Sequence, residues 1–196
     1  MPSTTTSFWR NQLPHWEVAA GTYFFTIRCA GSLPKAVAER VAAIHRELQQ
    51  IEPASEEFLQ LQRQYFLTTE KYLDAGHGFC PFRDPRCCEE VVAALTNLAE
   101  VGWRVRHYAI LPNHIHALLT TSDTACDMKT VWQRWKGRTA RSCNEILGRR
   151  GTFWQRDWFD RWMRDDAGTQ KTIDYIRNNP VKAGLVQNCK DYRWVQ

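Results

Sequence analysis

The run Tyr108-Ala109-Ile110-Leu111-Pro112-Asn113-His114-Ile115-His116-Ala117-Leu118-Leu119 constrains this chain more than any other. It is apolar and β-prone on both sides of Pro112-Asn113, a hairpin signal, so Val105–Ile110 and His114–Thr120 read as two paired strands. Side chains alternate along a strand, which puts His114 and His116 on one face and turns Ile115 into the core. Two imidazoles side by side are half of a divalent-metal site. A lone strand histidine is more often a satisfied polar residue; a His-x-His pair just after a turn is harder to assign to packing. A second stretch, Ile173 to Gly184, reads as helical up to Pro180 and puts Tyr175 and Asn179 one turn apart on one face. Taken alone, that tyrosine is a packing residue and that asparagine a C-terminal cap.

The rest of the chain supplies the frame. Gly21 to Cys29 is a β-prone run and the expected first strand. Pro34 opens a helical pattern through Val37, Val41, Ile44 and Leu48, and a second helix runs from about Ser55 to Asp74. Asp84 is the expected cap of a third helix, with Pro85 at its first position, ending near Gly102. Thr124–Leu147 is helical, Phe159–Met163 alternates as a strand, and Asp166 to about Asn179 is helical. This order predicts one α+β domain over residues 1–196. Its expected core is a ferredoxin-like split βαβ sheet with helices on one face, and residues 34–74 form a helical insertion after the first strand.

At 196 residues, with 43% hydrophobic and 24% charged residues, the composition is that of a soluble globular protein. No apolar run approaches the roughly 18–20 residues needed to span a bilayer. Met1 to Trp9 lacks a basic start followed by an apolar core, so no secretory leader is read there and the cytoplasm is the expected compartment. The seven cysteines fit reduced thiols. A zinc cluster of His77, Cys80, Cys87 and Cys88 is disfavoured, because adjacent cysteines do not form the usual paired spacing.

The net charge of +5 is concentrated. Lys129, Arg134, Lys136, Arg138, Arg141, Arg149, Arg150, Arg156, Arg161 and Arg164 are opposed only by Glu145, Asp157 and Asp160. Trp132, Trp135, Phe153, Trp154, Trp158, Phe159 and Trp162 are interleaved with them. Cations neutralise phosphates and exposed rings stack on unpaired bases, so this segment reads as a nucleic-acid surface, with Arg134, Lys136, Arg138, Arg141, Arg156 and Arg161 as its DNA contacts. The competing reading is a Trp-rich core edge with a solvated basic side.

Together these stretches resemble a family. His114-Ile115-His116 is similar to the His-hydrophobic-His motif of the HUH single-strand endonucleases. The surrounding Leu111–Leu119 run resembles the REP-associated tyrosine transposases of that superfamily. The resemblance extends through Tyr23–Arg28, Lys71–Gly78, Gly151–Arg161 and Tyr175–Val186, in order over most of the chain. It implies a bacterial, ferredoxin-like nickase that uses Mg²⁺ or Mn²⁺ and acts on single-stranded DNA hairpins formed by palindromic repeats. In that reading His114 and His116 are metal ligands and Tyr175 is the nucleophile that forms a 5′-phosphotyrosine. Asn179, in the Asn178-Asn179 doublet, completes the metal set. Tyr108, by its parity with His114, and Tyr192 are the competing tyrosines. Two other readings stand beside the transposase: a domesticated hairpin-DNA-binding protein that does not cut, and a metal-dependent phosphoesterase that activates water. Hairpin DNA is the expected partner, with no membrane contact and a monomer or homodimer as the working unit.

Overall fold

The computed structural model describes residues 5–53 and 55–196; Met1 to Thr4, used above in judging the leader, lie outside the described residues. The chain opens with an antiparallel hairpin, β1 (Thr5–Arg10) and β2 (Pro14–Val18), ahead of the strand expected to be first. The sequence hid it because β1 is half exposed throughout, with no buried face and so no alternation to read. β3 (Thr22–Arg28), β4 (Trp103–Leu111), β5 (His114–Thr121) and β6 (Phe159–Trp162) form one sheet in the order β4-β5-β3-β6, with every neighbouring pair antiparallel.

This is the ferredoxin-like order. One crossover, through α3 (Pro85–Thr96), links β3 to β4, and the other, through α4 (Met128–Ile146), links β5 to β6. The insertion is a pair of helices, α1 (Lys35–Leu48) and α2 (Glu56–Asp74), placed ahead of α3. Alternation sorts the two faces. Phe25, Ile27, Ile115, Ala117 and Leu119 pack under α3 and α4, whereas Phe24, Leu118, Ala109 and Leu111 pack under α1, α2 and the last helix, α5 (Asp166–Lys182). Both crossover helices therefore lie on one face, as expected, and the insertion with α5 adds a second layer on the other. Phe25, Ile27 and Ile115 are fully buried, each contributing about 2 kcal/mol of apolar transfer energy.

Local chemistry sets the helix ends. The Asp84 side chain accepts from Arg86 N (3.0 Å) with Pro85 at the first helical position, as the sequence predicts. α4 begins at Met128 rather than Thr124, because Asp127 is the cap that accepts from Thr130 N (2.8 Å). α5 continues through Pro180, where the sequence predicted a stop. In the last turn a proline forfeits a single backbone bond. The helix closes instead at Gly184 (φ 69°), where Gly184 N donates to Val181 O (3.0 Å) and Leu185 N to Pro180 O (2.9 Å). Asn179 is thereby kept inside the helix rather than at its cap. Cys87 and Cys88 are sealed in the core, and all seven cysteines are free. Among the described residues no helix is long and apolar enough to cross a membrane.

Candidate active site

The centre forms where β5 meets the α1, α2 and α5 layer. His114 and His116 are fully buried, and their Nε2 atoms stand 3.2 Å apart. Each ring is held from behind. Asn113 Nδ2 donates to the His77 carbonyl (2.8 Å), which turns Asn113 Oδ1 toward His114 Nδ1 at 2.9 Å. His114 Nδ1 must therefore carry the proton, leaving an Nε2 lone pair aimed inward. Thr26, the register partner of His116, places its hydroxyl 3.0 Å from His116 Nδ1. Burial, reinforced by His116, pushes the His114 pKa down to about 3, so this imidazole is neutral, as a metal ligand must be.

α2 contributes a residue that sequence reasoning missed. Glu70 is 2% exposed; its Oε2 lies 3.2 Å from His116 Nε2 and accepts the Tyr175 hydroxyl proton. Burial by itself would raise this carboxyl, but adjacent His116 outweighs it and holds Glu70 well below the usual carboxylate range. A signal was available: Phe66, Glu70 and Leu73 share a helix face, so a carboxylate interrupts a buried apolar stripe.

α5 presents Tyr175 and Asn179 from the other side. Tyr175 Oη also approaches His116 Nε2 (3.4 Å), and its ring packs on Phe24 and Phe66. Burial first, and then the Glu70 charge, push its pKa up. Of the asparagine doublet, Asn178 is exposed and Asn179 is fully buried. Neither Asn179 Oδ1 nor Nδ2 has a partner, and Glu70 Oε1 is likewise buried and unpaired. Ligand atoms of Glu70, His114 and His116 all lie within 4.8 Å of one another. Two imidazole nitrogens and a carboxylate in one buried space fit a divalent cation, and the buried, unpaired Asn179 amide lies one helical turn beyond Tyr175.

The competing tyrosines lie elsewhere. The two-residue turn pairs Leu111 with His114, so Ala109 and Leu111 share the histidine face and Tyr108, opposite Ala117, points to the other. Parity counted through the turn is therefore corrected by the register. Tyr192 donates its hydroxyl to the Ile110 carbonyl (2.7 Å).

The basic segment needs a similar correction. Trp132, Trp135, Phe153, Trp154, Trp158 and Phe159 are buried, so they are core and not stacking platforms; of the seven rings only Trp162 is half exposed. Arg134, Arg138, Arg141, Arg156 and Arg161 are exposed. Lys136 is not free: its Nζ donates to the carbonyls of Gln155 (2.5 Å) and Arg156 (2.7 Å), and burial pulls its pKa down to about 8. α4 covers the sheet face opposite the histidines, so its exposed arginines stand about 15 Å from the centre, by the thickness of one sheet and one helix.

These features define a class: a ferredoxin-like α+β protein with a paired-histidine, single-tyrosine centre. No protein-family model matches the chain. Its resemblance is to the REP-associated tyrosine transposases. It is 33% identical over 92 residues to a putative REP-associated tyrosine transposase of Haemophilus influenzae, covering 42% of this chain and 52% of the relative. It is 24% identical over 90 residues to the REP-associated tyrosine transposase of Escherichia coli K12, covering 46% and 52%. The chain thus spans about half the length of the curated relatives it matches. Among solved structures, a REP-associated tyrosine transposase bound to a REP hairpin shares the fold, with a TM-score of 0.56 at 17% identity over 97% of this chain and 82% of the other.

Proposed function

We propose that this protein nicks and rejoins single-stranded DNA hairpins formed by palindromic repeats, as a cytoplasmic tyrosine transposase. Tyr175 is the nucleophile, and Mg²⁺ or Mn²⁺ is held by His114, His116 and Glu70, with Asn179 as a further oxygen ligand. The observation that carries the reading is the convergence of the Tyr175 hydroxyl, the Glu70 carboxylate and both His Nε2 atoms in one buried site. The curated relatives' names and the hairpin-bound neighbour support the substrate class.

A phenol whose pKa is raised is a poor nucleophile until its proton is taken. Glu70 already accepts that hydroxyl and is the base. As the Tyr175 Oη–H proton passes to Glu70, Oη forms a bond to phosphorus and the P–O3′ bond breaks. The 3′ oxygen leaves and takes a proton from water, and the 5′ phosphate remains on Tyr175. A bound divalent cation supplies positive charge to the non-bridging phosphate oxygens. One phosphoester bond forms for each one broken, so a 3′-hydroxyl can reverse the step on the same or another strand without ATP.

The test uses a labelled hairpin oligonucleotide taken from inverted repeats flanking the gene, with Mn²⁺. A covalent adduct is expected that carries the label 5′ in the product downstream of the nick. It should be absent in Tyr175→Phe, which removes only the hydroxyl. Adduct formation by Tyr175→Phe, or a phosphotyrosine mapped to another residue, would sink the assignment. Hairpin binding with no adduct in the wild type would leave the non-cutting reading.

A further inference from the structure

We propose that Arg28 is a phosphate-binding residue that holds the DNA strand next to the nicking centre. The proposal rests on the nuclease reading above for its ligand, and deepens it. Arg28 is the last residue of β3 and the register partner of His114, so it projects from the sheet face that carries both histidines. Its backbone is held from both sides: Gln155 N donates to its carbonyl (2.9 Å), and the next residue, Cys29, donates to Asn113 O (2.8 Å).

Among the described residues it is the only Lys or Arg that is more than nine-tenths buried. No carboxylate pairs with it, whereas Arg86, Lys182 and Arg193 each have one. The charged and titratable groups around it are accounted for. Asp157 is taken by His15 and by the backbone amides of Gln12 and Leu13, and Glu70 by His116 and Tyr175. The other neighbours cannot neutralise it: Tyr65 is a phenol pushed up by burial, Lys136 is itself a cation, and His45 is held neutral by burial.

Among the described residues its side-chain partners are Ser32 Oγ, a long bond from Nη1 at 3.4 Å, and the Tyr65 phenol, and neither is an anion. A buried guanidinium without an anion is costly, and its planar fork matches two phosphate oxygens. The ligand chemistry that satisfies it is a phosphodiester, on the same sheet face as the reacting centre.

The experiment measures affinity for a fluorescent single-stranded 20-mer across a salt series, in EDTA, so that the metal centre is silent. Each phosphate contact on a single strand contributes about 0.7 to the slope of log K against log salt. Arg28→Gln is expected to flatten the slope by about 0.7, whereas Arg28→Lys keeps it. An unchanged slope in a folded Arg28→Gln protein overturns the proposal. If Arg28→Gln does not fold, the Nε–Hε resonance of Arg28 in the wild type decides: a shift on adding the 20-mer supports the contact, and none overturns it. The two readings fail separately. No adduct with a flattened slope sinks the nickase alone, and an adduct with an unchanged slope sinks Arg28 alone.

Discussion

At the scale of single residues, the centre is held by indirect restraint. His114 is useful to a metal only because its proton sits on Nδ1, and that follows from Asn113, itself turned by the His77 carbonyl. In the proposed reaction Glu70 has two tasks, and Glu70→Gln separates them from packing because it keeps the size while removing the charge. Calorimetric Mn²⁺ titration of Glu70→Gln is expected to show at least a roughly tenfold loss of affinity. The adduct rate should also fall, because an amide cannot take the Tyr175 proton. Retention of both would place Glu70 outside the chemistry. The His114→Ala, His116→Ala double variant should weaken Mn²⁺ binding further.

At the scale of elements, one loop and one helix carry separate roles. Gly78 (φ 71°) follows His77 in the loop after α2, and a Cβ there would stand 1.9 Å from the Gly31 carbonyl oxygen. Both the positive φ and the clash require glycine. Gly78→Ala should lower stability by about 3 kcal/mol, by the strain and the lost contact. It should also weaken Mn²⁺ binding, because the His77 carbonyl that orients Asn113 moves with it. Unfolding and titration measured on one preparation check both. α4, across the sheet from the centre, exposes Arg134, Arg138 and Arg141. Replacing all three with Gln should flatten the salt dependence of hairpin binding by about two to three units. The adduct rate at saturating DNA should be unchanged; a lost rate would place this face in the reaction itself.

At the scale of the whole molecule, the N-terminal hairpin is fastened to the sheet by a buried charge cluster. His15 on β2 stacks on Trp9 (4.0 Å) and bonds Asp160 of β6 at Nδ1 and Asp157 at Nε2 (3.2 Å). Two carboxylates facing both nitrogens call for an imidazolium. Burial opposes this charge, but Asp160 and Asp157 outweigh burial and raise His15 to about 9. A raised histidine stabilises fully below its unfolded value near 6.5 and loses that stabilisation as pH climbs through 9. Asp160 is itself raised by its burial, an effect that His15 opposes. The shift corresponds to about 3 kcal/mol, so the urea midpoint should fall between pH 7 and pH 10. His15→Gln should be less stable at pH 7 and lack that fall; a fall of equal size in the variant would remove His15 as its source.

How much was legible follows from the range of the interactions. The hairpin, the cap at Asp84, the histidine pair on one strand face and the Tyr175–Asn179 helix face all rest on contacts within a few residues, and periodicity and turn chemistry determined them in the sequence by itself. The β1–β2 hairpin was not legible, because β1 has no buried face and the hairpin is secured by His15, Asp157 and Asp160, some 145 positions apart in the chain. The face of Tyr108, the burial of the tryptophans and the committed Lys136 were likewise decided by tertiary packing. So was Glu70: α2 belongs to an insertion, and only its docking over β5 brings a carboxylate 105 positions from Tyr175 into contact with it. Local patterns determined which side chains share a face; long-range packing decided which faces meet.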